Sequence, residues 1–524
     1  MIKDLEEELI KQSEIESILL EELKNGDYTF DNPFIILDPY EESPLTALLL
    51  FNTNENVRVE ISVEGKDNHS KIVHSFKDKG YIKEHIIPVY GLYSNNTNKI
   101  KITIKNENNI KKEKVFDIKT EALPSDLENI EYLAYSKNSK KYAKGLNFSY
   151  AGVNHIPMKN AFDINGDIRW YFKSIYGLPT NFNNMNSIFL SKGSYHYGDV
   201  LIIERNVLGK ILRVYYSPYG NHHEIYLHNE KIYLAGSQSK EGHTVEDLIS
   251  VINLNDEKVE LVIDYNKILP KTRIAGRYYS NKDWLRINTI IVDDEDIIIS
   301  SNVQSSIIKT DINKNIKWIL SNPVDYPTKW KEKLLKPVGK DFEYSYNQHA
   351  PMILPDYDNN PDTLDILLFD NGTSRRHIEN NDKSNENYKL YSRLVHYRIN
   401  EKNMTVEQIW QYGKERTELF SQMRGDADLL ENGNFFGTFN RDNPKLDMNN
   451  VSDTVYIEVD RDKNIVWECI AISKLDNNRH LDYRSERLEI YTEAANDIKL
   501  GVSAINLIPD EVYEKYGLKK GEIK

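Results

Sequence analysis

From about residue 150 onward the chain repeats itself, and this repeat leaves few folds open. One element recurs six times: a strand, a tight polar turn, and a second strand carrying Trp or a bulky apolar residue. The clear copies are AFDINGDIRWYF (161–172), IIKTDINKNIKWIL (307–320), LVHYRINEKNMTVEQIWQY (394–412) and VYIEVDRDKNIVWECI (455–470). Weaker copies lie at 204–216 and 250–265. A second element precedes several of them: a polar anchor, a turn about six residues later, then an apolar strand. Its anchors are His223, Asn288, His349 and Gly425, spaced 65, 61 and 76 residues apart. Self-similarity at this period, with four strands per unit, predicts a β-propeller. In a propeller the innermost strand of each blade lines the central channel. Anchors far apart in sequence, His223, Asn288 and His349, are therefore expected to meet at one channel mouth.

The remainder divides as follows. Residues 1–28 have the pattern of one polar helix. Residues 29–120 show short alternating strands at 57–63, 71–76, 85–89 and 100–104, separated by Asn and Gly turns, which predicts a small β-sandwich. Residues 121–150 read as a polar connector, and 151–524 as the propeller. The fold class expected is all-β: a six-bladed propeller behind an N-terminal sandwich and helix.

Composition narrows the partners. A net charge of −14, with both signs interspersed, argues against nucleic acid or an anionic membrane as partner. No window approaches 18 apolar residues, so no membrane span is expected. The acidic N-terminus lacks a basic segment followed by an apolar one, so it is not read as a signal peptide. A single cysteine, Cys469, excludes an intrachain disulfide and a cysteine zinc cluster. Its apolar setting reads as a core thiol, and no metal or cofactor is expected. There is no Gly-x-x-x-x-Gly-Lys loop for a nucleotide phosphate.

The anchors lie in distinctive contexts: NHHEI (221–225), KDWLRINTI (282–290), SSNVQSSIIK (300–309), YNQHAPMILP (346–355) and LLFDNG (367–372), then YSRLVHYRI (391–399) and QIWQYGKER (408–416). The N-terminal region adds DPYEESPLTALL (38–49), VEGKD (63–67) and HIIPVYGLY (85–93). In this order the motifs resemble the bacterial arylsulfate sulfotransferases, over nearly the whole chain from residue 30. The resemblance implies a sandwich plus six-bladed propeller, a homodimer, and transfer of a sulfuryl group from an aryl sulfate donor to a phenolic acceptor without a nucleotide sulfate. It implies a ping-pong reaction through a sulfohistidine. His349 inherits the nucleophile's position. The second functional histidine falls on the His222–His223 pair, and the repeat register favours His223. The family is often exported, whereas no signal peptide is read here.

Two positions depart from the family pattern. Trp-x-His-x-Asn is here Trp284-Leu285-Arg286-Ile287-Asn288, and Ser-Ser-Arg is Ser300-Ser301-Asn302. The site has lost a histidine and a sulfate-binding arginine, and gained Arg286. In the favoured reading Arg286 supplies the lost guanidinium's planar fork from across the channel, and Asn288, Asn302, His222 and Thr438 line the substrate. The alternatives are a weakened propeller that binds an anionic or aromatic ligand, and a hydrolase of sulfate or phosphate esters. Arg424, Arg375 and Arg376 are expected to face solvent, and Tyr93, Tyr397 and Tyr412 to be core.

Overall fold

The computed structural model describes residues 1–524 apart from 137–139, 151, 154–155, 158, 175–179, 194–197, 238–243, 257, 270–279, 281, 376–389, 442–452, 476–479 and 522–524. Among the described residues, the β-propeller region contains six sheets of four or five strands, antiparallel except where Ile505–Asn506 and Lys336–Val338 add parallel outer edges. Each recurring hairpin supplies the third and fourth strands of its own sheet. Thus Ile307–Leu320 pairing joins Ser306–Thr310 to Ile316–Leu320, and Val455–Ile470 pairing joins Asp453–Val459 to Ile465–Ser473. The innermost strands are Thr180–Asn181, Ile225–His228, Ile287–Asp293, His349–Ile353, Asp426–Leu429 and Ser485–Leu488.

The tryptophans of the repeat have a shared task. Each indole N–H donates to the outer turn of the following sheet. Trp170 reaches Val207 O at 3.1 Å, Trp318 reaches Glu401 Oε1 at 2.6 Å, and Trp410 reaches Arg461 O at 2.9 Å. Trp467 of the last sheet reaches Ile164 O of the first at 2.9 Å. An indole offers both a large apolar face and one donor, so it can fill the seam between sheets and fix its register.

Two strands bring the chain ends together. Ile130–Ser136 pairs with Ile465–Ser473 at the outer edge of the last sheet. Ser485–Leu488 pairs with Leu146–Ser149 and becomes the innermost strand of the first. Residues 121–150, read as a polar connector, therefore contribute strands to the first and last sheets. They looked like a connector because Ile130–Ser136 has its partner more than 300 residues away, and Leu146–Ser149 has one of its two partners there, the other being the nearby Asn160–Phe162.

The N-terminal strands form one six-stranded network around the long strand Ala47–Val63. Its first part pairs with Phe34–Leu37 and Ile82–Val89, and its second part with Thr97–Asn106 and Ile72–Ser75. One apolar core runs from this region into the first and last sheets. Arg169, fully buried, pins the two together: it donates to Gly91 O and Ser70 O at 2.7 Å and lies 3.8 Å over the ring of Tyr93. Tyr93, Tyr397 and Tyr412 are buried, and Cys469 is a fully buried free thiol. The helix Ile2–Asn25 buries Ile2 and Leu5 against Leu201, Ile203 and Val214 of the propeller. Among the described residues no helix is long and apolar enough to cross a membrane.

Candidate active site

The loops entering the innermost strands carry polar side chains in left-handed backbone. His223 (φ 60°), Arg286 (φ 52°), Asn347 (φ 53°) and Arg424 (φ 63°) all have positive φ. Non-glycine residues pay steric strain there, and such strain concentrates where a side chain must be aimed. At His223 the kink is a three-residue turn, with Glu224 N–H donating to His222 O at 2.6 Å.

His349 opens its strand and is nearly buried. Its Nδ1 lies 2.7 Å from Asn371 Oδ1. The orientation of that amide is set on its other side, where Asn371 Nδ2 donates to Ser421 O at 3.0 Å and Arg424 O at 2.7 Å. The oxygen must therefore face the imidazole, so Nδ1 carries the proton and Nε2 carries the lone pair. Burial pulls the imidazole pKa down to about 3, with the Asn371 hydrogen bond opposing and the charges of His223, Arg484 and Arg286 adding to the fall. His349 is neutral at pH 7.

Across from it, His223 Nε2 lies 3.2 Å from Glu246 Oε2. The same carboxylate oxygen is 3.8 Å from Arg286 Nε. Arg286 donates from Nε to Asp283 Oδ2 at 2.8 Å, and its Nη2 joins the same oxygen. Burial raises the Asp283 carboxyl, with Glu246 adding to the rise and Arg286 opposing. His222 turns away, with Nε2 3.4 Å from Gly236 O. Ligand atoms of His222, His223 and Glu246 lie within 4.8 Å of one another.

Tyr483 joins the two histidines. Its ring stacks on His223 at 5.6 Å and meets His349 edge-on at 6.2 Å. Its neighbour Arg484 reaches away from the first sheet. Nη1 donates to Glu224 Oε2 at 2.7 Å, and Nη2 to Asn288 O at 2.8 Å and Thr289 Oγ1 at 2.9 Å. Tyr483 Oη and Arg484 Nε are buried without a hydrogen-bond partner among the described residues. Both are donors, and buried donors left over in this way call for a ligand or water. Beside Arg484 a buried carboxylate, Asp426, has its pKa pushed up to about 7 by burial.

The expected substrate contacts resolve differently. Asn288 Nδ2 donates to Gln348 O at 2.8 Å, and Asn302 Nδ2 to Asn347 O at 2.9 Å, with Asn347 Nδ2 returning a bond to Asn302 O at 3.0 Å. The amide nitrogens of both thus brace the segment that delivers His349. Thr438 is fully buried, and its hydroxyl bonds that of Ser485, linking the last sheet to the first. Arg286 is engaged by carboxylates of its own wall, where the sequence reading had it reaching across the channel. Arg375, expected in solvent, is buried, donating to Asp370 Oδ2 at 2.5 Å and stacking 4.2 Å over Tyr391. Arg424 is half-buried and donates to Leu481 O at 3.2 Å, so it too departs from the solvent expectation. Arg376 lies outside the described residues.

Sequence reasoning missed Asn371, Glu246, Tyr483 and Arg484. The last two escaped the anchor, turn and apolar strand pattern that located His223 and His349, because the strand after them pairs with Leu146–Ser149, far back in the sequence.

A family model described as Arylsulfotransferase (ASST) matches residues 133–484, and one described as Arylsulfotransferase Ig-like domain matches residues 34–121. The chain belongs to the arylsulfotransferase family. An arylsulfate sulfotransferase AssT of Lelliottia amnigena is 25% identical over 497 residues, covering 73% of this chain and 80% of that protein. Its counterpart from Escherichia coli O6:H1 is 24% identical over 499 residues, with the same coverage. Among solved structures, a putative 6-phosphogluconolactonase from Bacteroides fragilis aligns with a TM-score of 0.36 at 10% identity, over 66% of this chain and 82% of that one; the likeness is too distant to bear on activity. In this chain Arg286 and Asn302 both bond residues of the surrounding loops, Asp283 and Asn347.

Proposed function

We propose that this protein transfers a sulfuryl group from an aryl sulfate ester to a phenol, in a six-bladed propeller, through a covalent intermediate on His349. The observation that carries the reading is the Asn371 clamp, which leaves His349 neutral with its Nε2 lone pair available. Nε2 attacks sulfur, the S–N bond forms as the S–O bond to the aryl group breaks, and the donor leaves as a phenolate. The oxygen of a second phenol then attacks sulfur, the S–N bond breaks, and neutral His349 returns. His223, held by Glu246, accepts the incoming phenol's proton and protonates the departing phenolate. Tyr483 Oη and Arg484 Nε donate to the sulfuryl oxygens, in place of the arginine that Asn302 replaces.

A chromogenic aryl sulfate, supplied with and without excess phenol, tests the proposal. Release that needs both phenol and His349 supports transfer. Release independent of phenol points to hydrolysis, and the absence of release from good leaving groups rejects an enzyme of either kind. Trapping labelled sulfate on the wild type but not on His349→Ala checks the intermediate.

A further inference from the structure

We propose that the cleft between the N-terminal sheet and the first sheet of the propeller is a binding site for a small phenol, separate from the channel that holds His349. The cleft has a volume of about 400 Å³, within the range of about 300–1,000 Å³ typical of small-molecule sites. One wall is the strand Ile72–Ser75, and the other is made by residues 144–146 and 489–491. Exposed Val73 and Lys144 stand at the mouth, and buried Leu146, Ile164 and Ile490 form the floor. None of His223, His349, Tyr483 and Arg484 lines it.

The walls suit an aromatic ring. His74 and Tyr491 stack with centroids 4.9 Å apart and planes 6° from parallel, and the Arg487 guanidinium lies 3.9 Å over the ring of Tyr142. Burial lowers the His74 pKa from its ordinary 6.5, so this imidazole is neutral at pH 7 and serves as a flat face. Asn496 Nδ2 lies 2.8 Å from His74 Nε2, and Tyr90 N–H donates to Tyr491 Oη at 2.9 Å, so both rings are held before any ligand arrives. Preset aromatic and aliphatic walls favour a planar ring, because little side-chain freedom is left to lose on binding.

The rim selects the substituent. Lys71 is matched by Glu64 and Asp163 by Arg169, each pair at 3.0 Å. Lys144 and Glu489 are exposed and have no ion-pair partner among the described residues. A carboxylate at this rim meets repulsion from Glu489, and an ammonium meets it from Lys144. A hydroxyl can accept from Lys144 and donate to Glu489, and a phenol, like a tyrosine side chain, is neutral at pH 7. The site also adjoins the innermost strand of the first sheet: Glu489–Tyr491 follow Ser485–Leu488 directly, and Leu488 pairs with Leu146.

A fluorine label at the mouth tests this in the full chain. In Val73→Cys the introduced thiol alone is accessible, because Cys469 is fully buried. A trifluoromethyl group attached there is followed by NMR as phenol, benzoate or benzylamine is added, with no sulfate donor present. The expected result is a saturable shift with phenol and weaker binding of both charged analogues. Replacing Lys144 and Glu489 together by Ala should weaken phenol by about tenfold, and Glu489→Lys should strengthen benzoate. The inference is overturned if phenol gives no saturable shift up to its solubility. It is equally overturned if benzoate or benzylamine binds as tightly as phenol, or if the double variant, checked for folding by circular dichroism, binds phenol as the parent does. The label reports the cleft without turnover, and sulfuryl transfer is read by phenol release, so either reading can fail while the other stands.

Discussion

Asn371 Oδ1 accepts from His349 Nδ1 at 2.7 Å, while its own amide nitrogen is held by the carbonyls of Ser421 and Arg424. Loss of this clamp frees the imidazole to present the wrong nitrogen as acceptor. Asn371→Ala is expected to slow phenol-dependent release by about 100-fold or more, by analogy with the tautomer effect in serine proteases. It also removes one buried donor from the carbonyls of Ser421 and Arg424, and so should lower stability by about 1–3 kcal/mol in denaturant titrations. A variant with normal kinetics would remove Asn371 from the mechanism.

The buried His349 also makes a pH signature. Its folded-state pKa, about 3, lies below the ordinary 6.5, so the unfolded chain binds the proton more readily. Its contribution is fully present above pH 6.5 and is lost as the pH falls toward 3, at about 1.4 kcal/mol per pH unit. Asp426 and Asp482, both raised to about 7 by burial, act in the opposite direction over part of that range. The comparison must therefore be differential. Between pH 6.5 and 5 the wild type should lose about 2 kcal/mol relative to His349→Gln, measured by paired denaturation curves.

An arginine at position 302 should fail for a structural reason. Asn302 is buried and exchanges two hydrogen bonds with Asn347, the residue two before His349. Asn302→Arg removes the side-chain bond to Asn347 O and overfills the space, so a loss of about 2–4 kcal/mol is expected. Arg286→His, at a position with 31% side-chain exposure, should be far milder. Thermal melts of the two variants separate these outcomes.

Arg484 and Glu224 form a buried pair at 2.7 Å. Arg484→Met leaves an uncompensated carboxylate, which costs about 3–5 kcal/mol. Adding Glu224→Gln should recover most of that stability while transfer remains lost. Recovery of transfer in the double variant would mean that Arg484 does not act on the sulfuryl group.

Much of the propeller was legible because its outer hairpins are local: strand, polar turn and Trp lie within about twenty residues, and each Trp docks on the next sheet. The parts that were illegible are those made by distance. Ile130–Ser136 alternates like a strand, but nothing nearby announces that it pairs with Ile465–Ser473. Glu246 sits in a polar loop and acquires meaning only when His223 is folded against it. Arg375 resembled a solvent residue after a turn until Asp370 and Tyr391 closed around it. His349 and His223 were found because the repeat placed them. The repeat said nothing of Asn288 and Asn302 as braces, because a side-chain amide can face a ligand or a carbonyl with equal ease.

Tyr483 and Arg484 immediately precede Ser485–Leu488, the strand that becomes the inner edge of the first sheet. During synthesis the ribosome delivers His223, Asn288 and His349 long before it delivers that strand. His349 therefore precedes Tyr483, whose ring stands beside it in the finished protein, by 134 residues. Completion of the first sheet and assembly of the site are one event, timed by Ser485–Leu488. A chain that stops before Ser485 lacks at once the inner strand of the first sheet and the ring of Tyr483 that faces both His223 and His349 only when that strand is in place.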